Sequence, residues 1–181
     1  MIRIRGRCPH TSGQSLVEFA LVVPIFIALV AAIIQFGVLF WAQNTLTQVV
    51  RDTGRWAATQ VECAGAGAVT AQANAVAANS SLLGYVAGSW TGTSGSSDAG
   101  VRAYATPGSL AVAWVQDSDP EAEGCPPQTN KAVYHVIIKV NHTVPTFFPA
   151  MAYFPLIGTC DSSGCRVVLS STVQYRMEPA P

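Results

Sequence analysis

The sequence predicts an α+β protein in which a long N-terminal helix packs on a small antiparallel β-meander head. Three observations predict it: residues 19–42 carry no formal charge, residues 46–61 repeat apolar side chains at intervals of three and four, and residues 166–177 alternate apolar with polar side chains. Charged residues make up 11% of the 181-residue chain and apolar residues 50%. A soluble domain carries about 25% charged residues, so this composition favours a membrane segment and argues against intrinsic disorder.

The uncharged run at 19–42 is long enough to cross a bilayer. As a helix it measures about 36 Å, against a hydrocarbon core of about 30 Å. Arg3, Arg5 and Arg7 precede it, and positive charges stay on the cytoplasmic side. Residues 1–13 are therefore expected inside as a basic leader, with the chain after about residue 43 outside.

Two other interpretations of this run stay open. A cleaved secretory signal has a shorter apolar region of about 7–15 residues, and no A-x-A site follows in residues 41–47. An ordinary single-pass anchor has the same composition as the predicted helix.

The helix is expected to continue outside the membrane, so that it spans residues 14–64. One side of this continuation is apolar and the other polar, which is the pattern of an amphipathic helix. The apolar side comprises Leu46, Val49, Val50, Thr53, Ala57 and Val61, and the polar side comprises Gln48, Arg51, Asp52, Arg55, Thr59 and Glu62. Gly65 and Gly67 are expected to end the helix.

Residues 65–181 are expected to form the extracytoplasmic α+β head. The Ala-rich stretch at 68–79 predicts a second helix, residues 88–100 a flexible loop rich in Gly, Ser and Thr, and residues 117–124 an acidic loop. Strands are predicted around 110–114, 134–140 and 167–177, with one face on the helix and one in water. The apolar faces of the last two comprise Tyr134, Val136, Ile138, Val140, Val167, Leu169, Val173, Tyr175 and Met177.

Four of the five cysteines follow the membrane segment, where disulfides persist. Three pairings are possible. We favour Cys160–Cys165, because the four residues between them can close a tight loop, and therefore Cys63–Cys125. A zinc site is the competing interpretation, but its two further ligands, His135 and His142, are seven residues apart in a predicted strand and face opposite sides.

Signatures of catalysis are absent from the sequence. It lacks a G-x-S-x-G elbow, a P-loop and an H-E-x-x-H motif. The acidic loop lacks EF-hand spacing and is better explained as a solvated turn. Ten basic and ten acidic residues cancel, so no net field attracts nucleic acid. We therefore expect no enzyme activity, no cofactor, no metal and no nucleic-acid partner.

Several polar or unusual residues of the long helix admit two interpretations. Glu18, directly before the apolar run, either lies among the lipid headgroups or meets a positive group of a neighbouring subunit. Pro24 removes one helical hydrogen bond and is expected to bend or loosen the helix. Arg51 and Arg55 either solvate the helix or contact partner subunits.

Gly13-Gln14-Ser15-Leu16-Val17-Glu18-Phe19, followed by an early proline at Pro24, resembles the N-terminal motif of TadE-like proteins, minor pseudopilins of the Tad (tight adherence, Flp-type) pilus machinery. The resemblance extends through the apolar run to Arg51-Asp52-Thr53-Gly54-Arg55 and covers residues 13–57. The segment Tyr175-Arg176-Met177-Glu178 also looks like the C-termini of family members.

This resemblance implies a pilin-like helix and a processing site. A prepilin peptidase is expected to cut between Gly13 and Gln14, which removes the leader and makes Glu18 the fifth residue of the mature chain. In type IV pilins a glutamate there pairs with a terminal ammonium during assembly, so the resemblance implies that role for Glu18. Phe19, Pro24, Arg51 and Arg55, which lie in the same segment, are the other candidates for contacts between subunits. Gln14 departs from the aromatic residue that many of those pilins carry after the cut.

The sequence therefore favours a minor pseudopilin, or pilus-assembly subunit, of a Tad-type secretion and adhesion system. Its partners are expected to be the lipid bilayer, other pilins and pseudopilins, the Tad machinery and the prepilin peptidase. The alternative is a single-pass anchored binding or adhesion module that does not enter a fibre, and a secreted hydrolase is a more remote one.

Overall fold

The computed structural model describes residues 12–60, 63–80, 90–94, 97–116, 119–123, 134–146, 159–161 and 164–177. They form three helices, α1 (Ser12–Ala58), α2 (Ala66–Asn79) and α3 (Asp98–Ala103). The strands are β1 (Thr91–Ser94), β2 (Ser109–Gln116), β3 (Asp119–Glu123), β4 (Tyr134–Pro145), β5 (Thr159–Asp161) and β6 (Gly164–Arg176). A long apolar helix followed by a small sheet confirms the predicted α+β class.

The sheet is mixed. Its strand order is β1-β2-β4-β6-β5, and β3 pairs with β2 beside this path. The central strands β2, β4 and β6 are antiparallel neighbours, as the predicted meander requires. The edge strand β1 instead pairs with β2 in parallel, from Thr91 opposite Ser109 to Ser94 opposite Val112. The sheet is therefore not wholly antiparallel.

The prediction of a flexible loop at 88–100 is wrong for most of its described part, which forms β1 and the start of α3. All four side chains of β1 are exposed, so this edge strand has no apolar pattern that a sequence could show. Helix α3 is capped at its N-terminus by Ser97, whose side chain accepts a hydrogen bond from the Gly100 backbone amide at 3.0 Å. A capping hydroxyl and one buried side chain, Val101, thus hold a segment whose composition resembles a linker.

The acidic stretch at 117–124 is likewise not a simple loop, because residues 119–123 form β3. This strand pairs antiparallel with the end of β2, with Gln116 opposite Asp119 and Val115 opposite Glu123. Backbone pairing at a sheet edge does not need an apolar side-chain pattern, which explains why composition did not reveal the strand.

Helix α1 ends earlier than predicted, at Ala58 rather than near residue 64. The last carbonyls are capped locally: the Thr59 hydroxyl and the Gln60 amide both donate to the Trp56 carbonyl, at 2.8 and 3.2 Å. These bonds replace the helical donors that the next turn would supply. Val61 and Glu62 of the predicted continuation lie outside the described residues, and the start at Ser12 is two residues before the predicted one.

The main core lies between the sheet and the two longer helices. It contains the predicted apolar stripe of α1, residues of α2, and the even-numbered side chains Val136, Ile138 and Val140 of β4. On β6 the predicted side chains Val167, Leu169, Val173 and Tyr175 face the same core, while the alternate positions are mostly exposed. The predicted strand faces are thus confirmed.

A second, smaller core lies on the opposite face of the sheet. Val101 of α3 packs there with Ala111, Ala113, Val115 and Ile137. The face expected to be wet is therefore partly covered, while the described side chains of β6 on this face are mostly exposed.

Candidate functional site

Helix α1 changes its surroundings along its length. From 13 to 30 every side chain is exposed except that of Val23, which is half-buried. The large apolar side chains in this part comprise Leu16, Val17, Phe19, Leu21, Val22, Ile25, Phe26, Ile27, Leu29 and Val30. Exposure on all sides is typical of a helix whose cover lies outside the chain, in lipid or in other helices.

The same helix is a core element of the head in its second half. The predicted stripe of Leu46, Val49, Val50, Thr53 and Ala57 is at most 1% exposed, while the described residues predicted on the other side are exposed. The Thr53 hydroxyl donates to the Val49 carbonyl one turn earlier at 2.8 Å, which satisfies its buried polar group within the helix. The exposed half of α1 and the part that lies in the main core thus belong to one continuous helix.

Gly54 allows α1 to approach β6 closely. A Cβ at this position would lie 2.6 Å from Cδ2 of Tyr175 and 3.1 Å from Cγ2 of Val173. Lower on the helix, the Gln43 side-chain amide donates to the Ser170 carbonyl at 3.1 Å. These contacts fix α1 along the length of β6.

Glu18 lies in the exposed apolar half of α1, near its N-terminal end. Its carboxylate accepts a hydrogen bond from the Gln14 side-chain amide at 3.2 Å, one turn earlier. The proposed cleavage-site residue Gly13 is exposed, and a Cβ there would meet nothing within 4 Å. The structure thus places Gly13, Gln14 and Glu18 on one accessible helix end, with Glu18 close to the residue that would carry the new amine.

Phe19 and Pro24 lie further along the same exposed half. Phe19 is 68% exposed. Pro24 lies inside the unbroken helix α1, and because proline has no N–H, it gives the carbonyl four residues earlier, that of Ala20, no helical donor. The helix therefore contains a weakened turn but no break.

Arg51 and Arg55 lie on the side of α1 that faces away from the sheet. Both are exposed, and neither forms an ion pair with any residue that the structure describes. They flank Thr53 and Gly54 in the chain. On this turn of the helix the two arginines therefore lie on the outer side, and Gly54, which approaches β6 closely, lies on the inner side. This arrangement leaves both guanidinium groups accessible to a partner.

Sequence reasoning missed two features of α1. One is Gly54, which it quoted only as part of the arginine element, although a glycine inside a helix costs about 1 kcal/mol relative to alanine and so signals a packing need. The other is the start of burial: Ala31, Gln35 and Leu39 are 9%, 1% and 9% exposed. The apolar run at 19–42 is thus covered on one side over its last three turns.

Cys160 and Cys165 lie at disulfide distance, with their Cα atoms 4.0 Å apart. They face each other across β5 and β6, and Gly164 next to Cys165 has φ +123°, a conformation that side chains rarely adopt. Cys63 is also in a disulfide. Its predicted partner, Cys125, lies outside the described residues.

The two histidines of β4 lie on opposite faces, as predicted. His142 is buried in the main core, where its Nδ1 accepts a hydrogen bond from the Trp90 indole at 3.3 Å, and the two rings meet edge to face. His135 is half-buried on the other side. Over the described part of the chain, no three His, Cys, Asp or Glu side chains come together as a metal site.

Comparison with known proteins bears on α1 alone. No curated protein and no solved structure matches the chain. Among the residues that the structure describes, one helix, α1, is long and apolar enough to cross a membrane. The family model of TadE-like protein matches residues 13–55, under a quarter of the chain, and stops short of the segment at 175–178. Residues 13–55 are therefore similar to TadE-like proteins, and this segment is the part of the chain to which the likeness applies.

Proposed function

We propose that this chain is a minor pseudopilin, or pilus-assembly subunit, of a Tad-type system, and that it acts through helix-mediated association rather than catalysis. The observation that carries the proposal is the exposed apolar half of α1, which belongs to the TadE-like segment and is not covered by the described residues of the head. Such a surface is stable only in lipid or against other apolar helices.

Glu18 is proposed to pair with a positive charge of a neighbouring subunit in this association. A carboxylate at the edge of an apolar segment is costly to bury unless a positive group meets it. If the bond between Gly13 and Gln14 is cut, the new α-ammonium of a neighbouring subunit can supply that charge. The amine of the same chain is only one helical turn away, and it competes until the neighbour docks.

Arg51 and Arg55 extend the proposed contact above the membrane. They are exposed on the outer side of α1, at about 50 and 56 Å from Glu18 along the helix. A carboxylate on an adjacent subunit would find two cations one turn apart. We propose that these residues help to seat the head against its neighbours.

The test of assembly is Glu18→Gln, which keeps the size of the side chain and its bond to Gln14 but removes the charge. We expect far fewer pili on cells, with unchanged membrane insertion. The control is Asp52→Asn, which removes an exposed carboxylate of the same helix outside the apolar run and is expected to leave piliation unchanged. Normal piliation with Glu18→Gln would refute the assembly role.

The test of processing is co-expression with a prepilin peptidase. The mature chain is expected to begin at Gln14, as N-terminal sequencing and intact mass would show. A chain that still begins at Met1 and stays in the membrane would favour the alternative function, an anchored binding or adhesion module. The Asp52→Asn variant should be processed normally, since it lies far from the cut.

A further inference from the structure

The head lies alongside the upper part of the apolar run of α1, where 'down' means towards the N-terminus of that helix, instead of ending above the run. Gly54 lies against Tyr175, and Gln43 bonds to Ser170. The rise from residue 43 to 54 of a helix and from 170 to 175 of a strand is about 17 Å in each case. Helix α1 and β6 therefore run side by side and in the same direction.

This alignment sets the height of the lower end of the head, which comprises residues 144–146, 160–161 and 164–168. Continued downward, it brings Val168 level with about residue 39 of α1 and Cys165 level with about residue 32. Leu39 does share a core with Val144 and Val167, and α1 is buried on one side from Ala31 upward. The lower end thus reaches well into the apolar run.

The helix left uncovered is too short for a bilayer. From Glu18 to Ala31 it measures about 20 Å, whereas the hydrocarbon core is about 30 Å thick. With Glu18 at the inner boundary of the core, the outer boundary falls near residue 38. That is the height of Val168.

The exposed apolar side chains point to the same height. On α1 they continue past the uncovered part, through Ile33, Ile34 and Phe36, and end at Phe40, which is 68% exposed. Outside α1, Val168 is the one large apolar side chain among the described residues that is exposed, with 41% of its surface accessible. Phe40 and Val168 belong to different elements, yet the alignment of α1 with β6 puts them level.

We propose that the lower end of the head is a lipid-contacting surface, sunk into the outer leaflet until the hydrocarbon boundary reaches Val168 and Phe40. This inference rests on the proposed role of α1 as a membrane helix. The charged residues Asp161 and Arg166 lie on this end, so the bilayer is expected to thin around it and the long Arg166 side chain to extend towards the headgroups. The partner is the phospholipid itself.

The experiment uses the full chain with Cys8→Ser, reconstituted in nanodiscs of phosphatidylcholine and phosphatidylglycerol. Single cysteines are introduced by Val168→Cys, Ser170→Cys and Thr172→Cys, which replace exposed side chains on one face of β6, and each is labelled with an environment-sensitive fluorophore. Quenching by lipids that carry a nitroxide close to the headgroup reports depth. Thr172 is the matched control, about 13 Å above Val168.

We expect quenching to fall in order along the strand and to be at least about twofold stronger at Val168 than at Thr172. A label introduced by Phe26→Cys, which lies about 12 Å from Glu18 along the helix and so near the middle of the bilayer, reports insertion of the helix through lipids that carry the nitroxide near the end of the acyl chain. Strong quenching there with equal, weak quenching at Val168 and Thr172 would overturn the lipid-contacting surface and leave the proposed function intact. No quenching at Phe26 would overturn both.

Discussion

The contact of Gly54 with Tyr175 can be tested by substitution, because α1 lies this close to the sheet only where residue 54 has no side chain. A methyl group at residue 54 gains about 1 kcal/mol in helix propensity but would lie 2.6 Å from the Tyr175 ring. Forced repacking of this kind costs about 1–3 kcal/mol. We expect Gly54→Ala to lower the free energy of unfolding of the head by about 1 kcal/mol, and Gly54→Leu by about 3 kcal/mol or more.

The measurement is urea unfolding of the full chain in detergent micelles, followed by near-ultraviolet circular dichroism. The matched control is Gly37→Ala, which removes a glycine from the same helix where a Cβ would meet nothing within 4 Å and should cost no stability. In a Tyr175→Ala background, the loss caused by Gly54→Leu should shrink by about 1 kcal/mol or more. A Gly54→Leu chain as stable as the parent, or an equal loss in both backgrounds, would refute the packing argument.

Two further predictions concern the head. Asn74→Ala should lower the free energy of unfolding by about 1–2 kcal/mol, because the Asn74 side-chain amide accepts a hydrogen bond from the Trp90 backbone N–H at 3.1 Å and donates one to the Trp90 carbonyl at 3.3 Å. The control, Asn79→Ala, at an exposed position of the same helix, should change the free energy of unfolding little. Equal losses in the two variants would contradict a stabilising role for the two Asn74–Trp90 hydrogen bonds. Hydrogen bonding, first of all by the Thr93 hydroxyl, lowers the pKa of the Tyr104 phenol, so Thr93→Val should raise that pKa in a carbon-13 NMR titration of labelled tyrosine, and an unmoved midpoint would contradict the assignment.

The long helix was predictable because its signals are local. A run without charge, followed by apolar residues spaced by three and four, defines both halves of α1. The side that faces the sheet follows from that spacing alone, and all its described members are buried. The strand faces of β4 and β6 were predictable for the same reason, since alternation is also a local pattern.

What could not be predicted depends on contacts between distant residues. Strand β1 has four exposed side chains and is defined by its backbone pairing with β2, and no composition reveals a partner. The depth to which the head covers α1 depends on the alignment of α1 with β6, which joins Gln43 to Ser170. The role of Gly54 likewise requires knowing that Tyr175 lies opposite it.

The continuity of α1 from the exposed half into the main core decides how this protein can be handled and turned over. A protease that cuts the chain near residue 43 would leave Leu46, Val49 and Val50 in the main core but would remove Leu39 and Ala42 from it. A cut further along the helix, beyond Val50, would also remove Leu46 and Val49 and would expose the apolar face of the sheet against which they pack. A fragment that keeps the whole main core therefore has to include α1 from Leu39 onward, and recombinant fragments for crystallisation should begin before that residue.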